Sequence, residues 1–208
     1  MNSLSAIMAG NRLRRVSAVS ASPVRVVAIS GNSQRPSRSR ALAGAIVEAI
    51  GRHLPAKIEQ YDILDAHPGL GNALLRSDLT PQALVIVEAI EQADVLVVTT
   101  PVYKGSYTGL LKHLIDFVDM KALVGRPVVI GATGGGQQHA LVIEHQLRPL
   151  FGFFSAWTIP AGIFADDKTF EDYRQTDPRI LARIELAASQ VALAFPQLAG
   201  TVQVEAVP

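Results

Sequence analysis

The sequence contains no cysteine, which excludes disulfides, a thiol nucleophile and metal or iron–sulfur sites with thiolate ligands. Any redox chemistry would therefore depend on a bound organic cofactor. The sequence also lacks an apolar run near the ~18 residues that span a bilayer, so we expect a soluble, cytoplasmic protein with no membrane segment. Its 208 residues are 49% hydrophobic, which is enough for one sizeable core and short for two domains.

Acidic residues are absent from the first part of the chain, where seven arginines precede Glu48 although the whole chain has a net charge of only +1. Residues 1–24 also lack aromatic side chains, and nucleic-acid binding needs such stacking groups beside its basic patch. We therefore expect no nucleic-acid partner. Residues 1–23 resemble a transit peptide in composition, but we interpret them as a disordered extension, or as a start assigned too early, before a domain over residues 24–200.

One stretch, residues 94–119, organises the rest of the chain. Residues 94–100 form a near-continuously apolar, largely β-branched run that stops at Pro101, which predicts a strand buried on both faces of a parallel sheet. From Thr108 the apolar period is near 3.6, which predicts an amphipathic helix. Its expected buried stripe consists of Leu110, Leu111, Leu114, Ile115 and Val118. The loop between them, residues 101–107, follows a strand, where open α/β sheets bind their ligands.

A similar strand, loop and helix begin at Val24. Residues 24–30 predict the first strand, and the polar residues 31–39 lead into a helix. Unpaired N–H groups at a helix amino terminus bind anions, so the loop predicts a phosphate site to which Arg38 adds charge. A Ser-rich helix cap explains the same residues equally well. The loop matches neither the dinucleotide fingerprint nor the P-loop of nucleotide hydrolases.

Strands and helices alternate through the remaining chain. Further strands are predicted at residues 56–63, 127–132 and 155–165, a polar connection at 65–79, and helices from Thr80, from Gln137 to Phe151 and from Asp177. This alternation predicts an α/β fold with a doubly wound five-stranded parallel sheet in the order 2-1-3-4-5. A run of three glycines follows the fourth strand, and it permits close approach of a flat ligand or forms a flexible loop. Loops that follow parallel strands meet at one edge of the sheet.

These loops resemble those of a known family, the NAD(P)H-dependent FMN reductases. Residues 31–39 resemble the family's FMN-phosphate loop, and residues 100–104, with Lys112 and Asp116 downstream, resemble its flavin-ring loop and the helix that follows. Residues 132–135 and 162–167 are similar to segments of the branch that serves two-component alkanesulfonate or methanesulfonate monooxygenases. The likeness covers about residues 24–195 and implies a flavodoxin-like fold.

The resemblance implies three groups of FMN-binding residues. The phosphate would be bound by Asn32, Ser37, Arg38 and Ser39. The isoalloxazine ring would lie against backbone groups of Pro101, Val102, Tyr103 and Lys104. The pyrimidine end of the ring would be covered by Thr133, Gly134, Gly135 and Gly136. The chain departs from the family at Asn32, where Ser is usual.

No protein side chain is assigned a catalytic role, because hydride transfer from NADH or NADPH to flavin is chemistry of the cofactors. In the sulfonate-linked branch the helix after the Gly loop can carry an inserted Tyr or His in a π-bulge, and His145 occupies that place. His145 is therefore a candidate modulator of flavin exchange, although a neutral His at a subunit contact is an equal alternative. We expect no metal site, because His113 and His139 lack partners at ligand spacing.

The helix predicted at residues 137–151 is apolar on two faces. One stripe contains Ile143 and Phe151, and a second contains Leu141, Val142 and His145. One stripe must cover the sheet, so the second predicts association into a homodimer or homotetramer.

The resemblance implies an enzyme that reduces FMN to FMNH2 with NAD(P)H and supplies it to a partner flavin-dependent monooxygenase in sulfur assimilation. One alternative is a reductase that keeps its FMN and acts on quinones, azo dyes or metal oxyanions. A non-enzymatic alternative is a flavodoxin-like electron carrier, against which a pI near 8.1 argues, since carriers usually have acidic surfaces.

Overall fold

The computed structural model describes residues 22–198. Its strands are β1 Val24–Ser30, β2 Ala56–Asp62, β3 Val95–Pro101, β4 Pro127–Gly134, β5 Trp157–Thr158, β6 Ile163–Asp166, β7 Phe170–Glu171 and β8 Arg174–Gln175. Its α-helices are α1 Arg38–His53, α2 Ile63–Ala66, α3 Pro81–Glu91, α4 Gly109–Ile115, α5 Arg148–Phe153 and α6 Pro178–Ala192. A π-helix spans Ile143–Leu147, and short 3-10 helices span Arg76–Asp78, Gln137–His139 and Asp167–Thr169. The expected extension, residues 1–23, lies almost wholly outside the described residues.

The main sheet is parallel and has the order β2-β1-β3-β4-β5, with β6 also paired to β4. The predicted order 2-1-3-4-5 is confirmed. Helices α1 and α6 pack on one face of the sheet, and α2 to α5 pack on the other. The central strands are therefore covered on both sides, which explains their uninterrupted apolar sequence.

Helix starts follow the capping residues of the sequence. The side chains that accept a backbone N–H from the first turn of a long helix are Ser37, Thr80, Thr108 and Asp177. Proline occupies the first position of α3 and α6, where its missing N–H costs nothing. No helix in the described part of the chain is long and apolar enough to cross a membrane.

The fifth strand was predicted as one element over residues 155–165, but it consists of two short strands, β5 and β6. Pro160 interrupts it because proline has no N–H to donate to a neighbouring strand. The next N–H, that of Ala161, bonds to the side chain of Gln190 on α6 at 3.0 Å. The break allows β6 to pair with the carboxyl end of β4, beside the glycine run.

The connection at residues 65–79 is more ordered than its polar sequence indicated. It begins inside α2, and Leu70, Ala73 and Leu79 are buried in the core. These apolar residues are too widely spaced to form a local period, so no pattern predicted a helix there.

The helix predicted at residues 137–151 is divided into a 3-10 turn, a π-helix and α5. The expected second stripe is only partly exposed: Val142 is buried, whereas Leu141 and His145 face outward. On α4, Leu110 is also exposed, so the predicted buried stripe is wrong at that residue and correct at the other four.

Candidate functional site

At the carboxyl edge of the sheet, the loop after β1 is hydrogen-bonded to the end of β3 and to the start of α4. The N–H of Gly31 donates to Thr99 O at 2.8 Å, and the Thr108 hydroxyl donates to Gly31 O at 2.8 Å. The N–H of Thr108 donates to Thr100 Oγ1 at 3.2 Å. A Cβ on Gly31 would lie 2.9 Å from both threonine hydroxyls, at positions 100 and 108, so only glycine fits there. The loop after β1 and the helix after β3 are thereby held in register.

The loop after β1 ends at the amino terminus of α1. The hydroxyls of Ser37 and Ser39 lie 2.9 Å apart, and Ser39 O accepts a hydrogen bond from Thr99 at 2.8 Å. The first backbone N–H groups of a helix have no partner within it, and they carry the positive end of the helix dipole. This loop therefore offers hydroxyl and amide donors to an anion.

A buried carboxylate holds the same loop in place through hydrogen bonds. The side chain of Asp62, at the end of β2, is fully buried and accepts two hydrogen bonds from Arg35, both at 2.7 Å. Arg40 adds a third at 3.1 Å. Burial alone would raise the pKa of Asp62, but the bonds from Arg35 and Asn32 outweigh it and hold that pKa below its ordinary value. Arg35 is thus a structural partner of Asp62.

Asn32 lies at the inner end of this cluster. Its Nδ2 donates to Asp62 Oδ2 at 3.1 Å and to Gln34 O at 3.0 Å, so the amide donors are already used within the loop. Its Oδ1 and the hydroxyl of Ser30 are buried and have no partner among the described residues. Unpaired buried polar atoms in a native site commonly mark a place completed by a ligand or water.

The second loop forms a tight turn beside β4. Tyr103 and Ser106 exchange backbone hydrogen bonds at 2.9 and 3.1 Å, and the two turn residues, Lys104 and Gly105, have positive φ. The Ser106 hydroxyl donates to Gln146 Oε1 in the π-helix at 3.0 Å. The Val102 N–H donates to Thr133 O at 2.8 Å, which joins the loop to the end of β4. The turn is therefore held from two sides.

These loops enclose a cavity of about 220 Å³. Ten of the twelve residues expected to bind FMN line it: Asn32, Ser37, Arg38, Ser39, Pro101, Val102, Tyr103, Thr133, Gly134 and Gly135. Lys104 and Gly136 do not. Lys104 points into solvent from the turn, where it has no side-chain partner among residues 22–198. The structure thus brings the three predicted groups together in one site.

Four residues of the cavity wall were not among the predicted site residues. Gln34 and Pro36 lie within the predicted phosphate loop, and the other two are Asp167 and Tyr173. Both follow β6, and Tyr173 lies at the turn of the β7–β8 hairpin. Asp167 Oδ2 is 3.9 Å from Arg38 Nη1, and the Arg38 guanidinium lies 5.5 Å from the Tyr173 ring centroid. Two-residue strands have no readable period, and the hairpin lacks an Asn-Gly turn, so no local pattern indicated it.

The three histidines discussed above lie outside the cavity. His145 is exposed within the π-helix, one residue before Gln146. His113 Nε2 lies 3.0 Å from Leu70 O, and its ring meets Phe117 edge-on. His139 is half-buried at the end of a 3-10 turn. Within residues 22–198, no group of three or more His, Asp or Glu side chains is arranged to hold a metal ion.

The arrangement fits a ligand with an anionic end and a flat end. Hydroxyls, helix N–H groups and Arg38 line the part of the cavity beside α1, whereas the backbone of residues 101–103 and two glycines line the part beside β3 and β4. A planar ring can approach glycine backbone closely because no Cβ intervenes. The residues present therefore match the phosphate and ring of a flavin mononucleotide.

The known proteins that resemble this chain include FMN reductases and flavodoxin-like proteins. The model of a family described as NADPH-dependent FMN reductase matches residues 24–171. The NADH-dependent FMN reductase SfnF of Pseudomonas fluorescens (strain Pf0-1) is 47% identical over 173 residues, covering 83% of this chain and 92% of that protein. The apo crystal structure of the NADH:FMN oxidoreductase EmoB superimposes with a TM-score of 0.74 at 30% identity, covering 82% and 89% of the two chains. A WrbA-like flavodoxin from Agrobacterium tumefaciens, at 15% identity and a TM-score of 0.58, shares the fold, covering 85% of this chain and 99% of its own.

Proposed function

Because this chain belongs to the NADPH-dependent FMN reductase family, we propose that residues 24–200 form one domain that reduces FMN with NADH or NADPH. FMN, when bound, would accept a hydride from the reduced nicotinamide. The observation that carries the proposal is the convergence of the three loops on one cavity. Since NAD(P)H is the reductant, we place the enzyme in the cytoplasm.

The chain's own residues supply binding and orientation. We assign the phosphate to Ser37, Arg38 and Ser39, which combine hydroxyls, helix N–H groups and a positive charge. Asn32 supports this loop, because its amide already bonds to Asp62. The ring would lie against residues 101–103 and be covered by residues 133–135, which line the cavity. Pro101 has no N–H, and those of Val102 and Tyr103 already donate to Thr133 O and Ser106 O. Donors that would stabilise negative charge on a reduced ring would therefore come mainly from the glycine run.

We further propose that FMN is exchanged between turnovers. The cavity of about 220 Å³ is smaller than the ~300–1,000 Å³ of sites that bury most of a drug-sized ligand, so much of an FMN ring would remain open to solvent. Tyr103, beside the expected ring position, is 49% exposed. A shallow site suits a product that must leave.

The receiver of FMNH2 in this proposal is a flavin-dependent monooxygenase that acts on alkanesulfonates or methanesulfonate and so releases sulfur for assimilation. The sequence resemblance at residues 132–135 and 162–167 supports this partner. A coupled assay tests it directly: the reductase, NADH and FMN are mixed with such a monooxygenase and a sulfonate, and sulfite release is followed. Sulfite should appear only when both enzymes are present. A complete mixture that releases no sulfite would contradict the proposed partner.

The reductase activity itself is tested by following NADH and NADPH oxidation with and without added FMN. Oxidation that saturates at micromolar free FMN supports flavin as an exchanging substrate. Purification of a yellow protein that rapidly reduces quinones or azo dyes without added FMN would instead support a reductase with resident flavin. Failure to oxidise either nicotinamide with any acceptor would contradict the proposed function.

A further inference from the structure

The β7–β8 hairpin forms one wall of the cavity, and its turn has an unusual backbone. Asp172 and Tyr173 both have positive φ, 44° and 60°. Turns of this kind usually contain Asn or Gly, because a bulky side chain is unfavourable in the left-handed region. Such outliers concentrate at functional sites, where the surrounding structure maintains them. The turn thus contains a bulky aromatic residue where Asn or Gly is usual.

The Tyr173 ring contacts the charged residue of the phosphate loop. The Arg38 guanidinium lies 5.5 Å from the ring centroid, within the range of a cation–π contact. The remaining neighbour of Arg38 is the Asp167 carboxylate at 3.9 Å, and no other described residue forms a hydrogen bond or ion pair with this guanidinium. Arg38 is about two-fifths exposed, so without the ring its long side chain would sample many rotamers. Tyr173 therefore fixes Arg38 at the edge of the cavity.

Tyr173 also stands between two cavities. It lines the site of about 220 Å³ and a neighbouring cleft of about 970 Å³ between α1 and α6, and it shares this position only with Pro36 and Ser37. All three residues lie at the end of the site that contains the hydroxyl and helix N–H donors. A group attached beyond a bound phosphate would have to pass the tyrosine ring to reach the larger cleft.

We propose that Tyr173 determines which flavin the site accepts. By holding Arg38 against a terminal phosphate, it favours FMN over riboflavin, which has no phosphate. By closing that end of the site, it favours FMN over FAD, in which an adenylate is joined to the phosphate. The inference rests on the proposed function, since it takes Ser37, Arg38 and Ser39 as the phosphate site.

The test uses two variants of the full-length protein and three flavins. Tyr173→Gly removes the ring and suits the positive φ, so the turn is retained. Tyr173→Phe keeps the ring and loses only the hydroxyl. Trp157→Leu is the control, because this half-exposed aromatic lies beside Pro127, at the opposite edge of the sheet. The Kd from flavin fluorescence and the kcat/KM with NADH or NADPH are measured for riboflavin, FMN and FAD.

Tyr173→Gly should weaken FMN binding by about two- to fivefold, the effect of one exposed cation–π contact, and leave riboflavin unchanged. The ratio of FAD to FMN in kcat/KM should rise. Tyr173→Phe and Trp157→Leu should behave as the wild type. In an Arg38→Ala background, Tyr173→Gly should have no further effect on FMN affinity.

Equal losses for riboflavin and FMN would overturn the proposal, because the ring would then act on the whole site rather than on the phosphate. Unchanged FMN affinity together with an unchanged FAD to FMN ratio would also overturn it. The binding measurements do not depend on turnover. Phosphate-selective binding without NAD(P)H oxidation would contradict the proposed function alone. NAD(P)H oxidation with the wild-type flavin preference unchanged in Tyr173→Gly would contradict this inference alone.

Discussion

Two arginines three residues apart, Arg35 in the loop after β1 and Arg38 at the start of α1, have different partners. Arg35 forms two short hydrogen bonds to the buried Asp62 carboxylate. Within the described part of the chain, Arg38 contacts only Asp167 and Tyr173, at the edge of the cavity. The Asp62 bonds also raise the pKa of Arg35, so this guanidinium stays charged in place. Arg38 is the arginine left available for a phosphate.

Simultaneous replacement of Arg38 and Ser39 by Ala should weaken FMN binding by more than tenfold. Each charge-assisted bond to a phosphate contributes ~1.5–3 kcal/mol, and ~1.4 kcal/mol corresponds to a factor of ten. Fluorescence titration with FMN measures the loss. Arg126→Ala removes the same charge at the opposite edge of the sheet, where it pairs with Asp94, and should not change FMN affinity. An unchanged titration in a folded double variant would refute the phosphate assignment.

Asp62→Asn should destabilise the fold at neutral pH by about 1–3 kcal/mol, because it weakens a buried hydrogen-bonded ion pair. The pKa of Asp62 is lowered in the folded state, so its contribution is fully present well above the unfolded value of about 3.9. The contribution is lost as the pH falls through the lower folded pKa.

Denaturant unfolding of wild type and Asp62→Asn at neutral pH and near pH 3 measures this difference. The two curves should be well separated at neutral pH and converge in acid. Asp65→Asn is the matched control, since its carboxylate contacts the same arginines from a more exposed position. A difference that stays constant with pH would show that packing, not charge, is the cause.

The residues of the site were predictable from the sequence to different degrees. The loops after β1, β3 and β4 were found because each follows a readable strand. The role of Arg35 was missed because its partner Asp62 is 27 residues away and no local pattern joins them. Tyr173 was missed because the strands beside it contain two residues each.

At the scale of elements, the π-helix contacts the flavin-ring turn on one side and is exposed to solvent on the other. The place marked by His145 does contain a π-helix, in which Arg148 N donates to Ile143 O. Gln146 faces inward and accepts the bond from Ser106, whereas His145 faces outward. The period of apolar residues alone predicted a regular helix, and only the family resemblance pointed to the insertion.

Deletion of His145 should convert the π-helix into a regular helix and tighten flavin retention. Gln146 precedes the buried Leu147 and would keep its place beside Ser106, while the more regular helix would restrict the motion that exchange needs. Flavin retained after gel filtration, read from its visible absorbance, measures the effect.

Gln146→Ala is the matched comparison, because it keeps the π-helix and removes the contact with the turn. It should release flavin faster than the wild type, opposite in sign to the deletion. The same retention in all three proteins would contradict a role for the π-helix in flavin exchange.

At the scale of the whole molecule, alternation of strands and helices was sufficient to predict the sheet order. Parallel strands need crossovers, and crossovers are right-handed, so few topologies remained. The break at Pro160 and the hairpin after β6 were not predictable in the same way. Both features depend on contacts with β4 and with the site residues, and these contacts exist only in the assembled sheet.

Several large apolar side chains remain exposed on the face formed by α4, α5 and the segment between α4 and β4. They are Leu110, Met120, Val124 and Phe153. A groove of about 450 Å³ on this face is lined mainly by apolar residues, among them Ile115, Leu150 and Phe154, and also by the charged residues Lys112 and Asp116. Exposed apolar patches of this kind mark association sites, and identical subunits usually close them with two-fold symmetry. We therefore expect this face to form the contact of a dimer, alone or within a tetramer.

Phe153→Asp should shift the protein toward monomer, because it introduces a charge at the edge of the groove. Light scattering at micromolar concentration measures the mass. Leu193→Asp is the control, since Leu193 is similarly exposed, at 72% against 67%, but lies at the end of α6 on the other face of the sheet. A wild-type protein that is already monomeric would contradict the expected dimer contact. Equal loss of mass in both variants would mean that the contact involves more than the α4–α5 face.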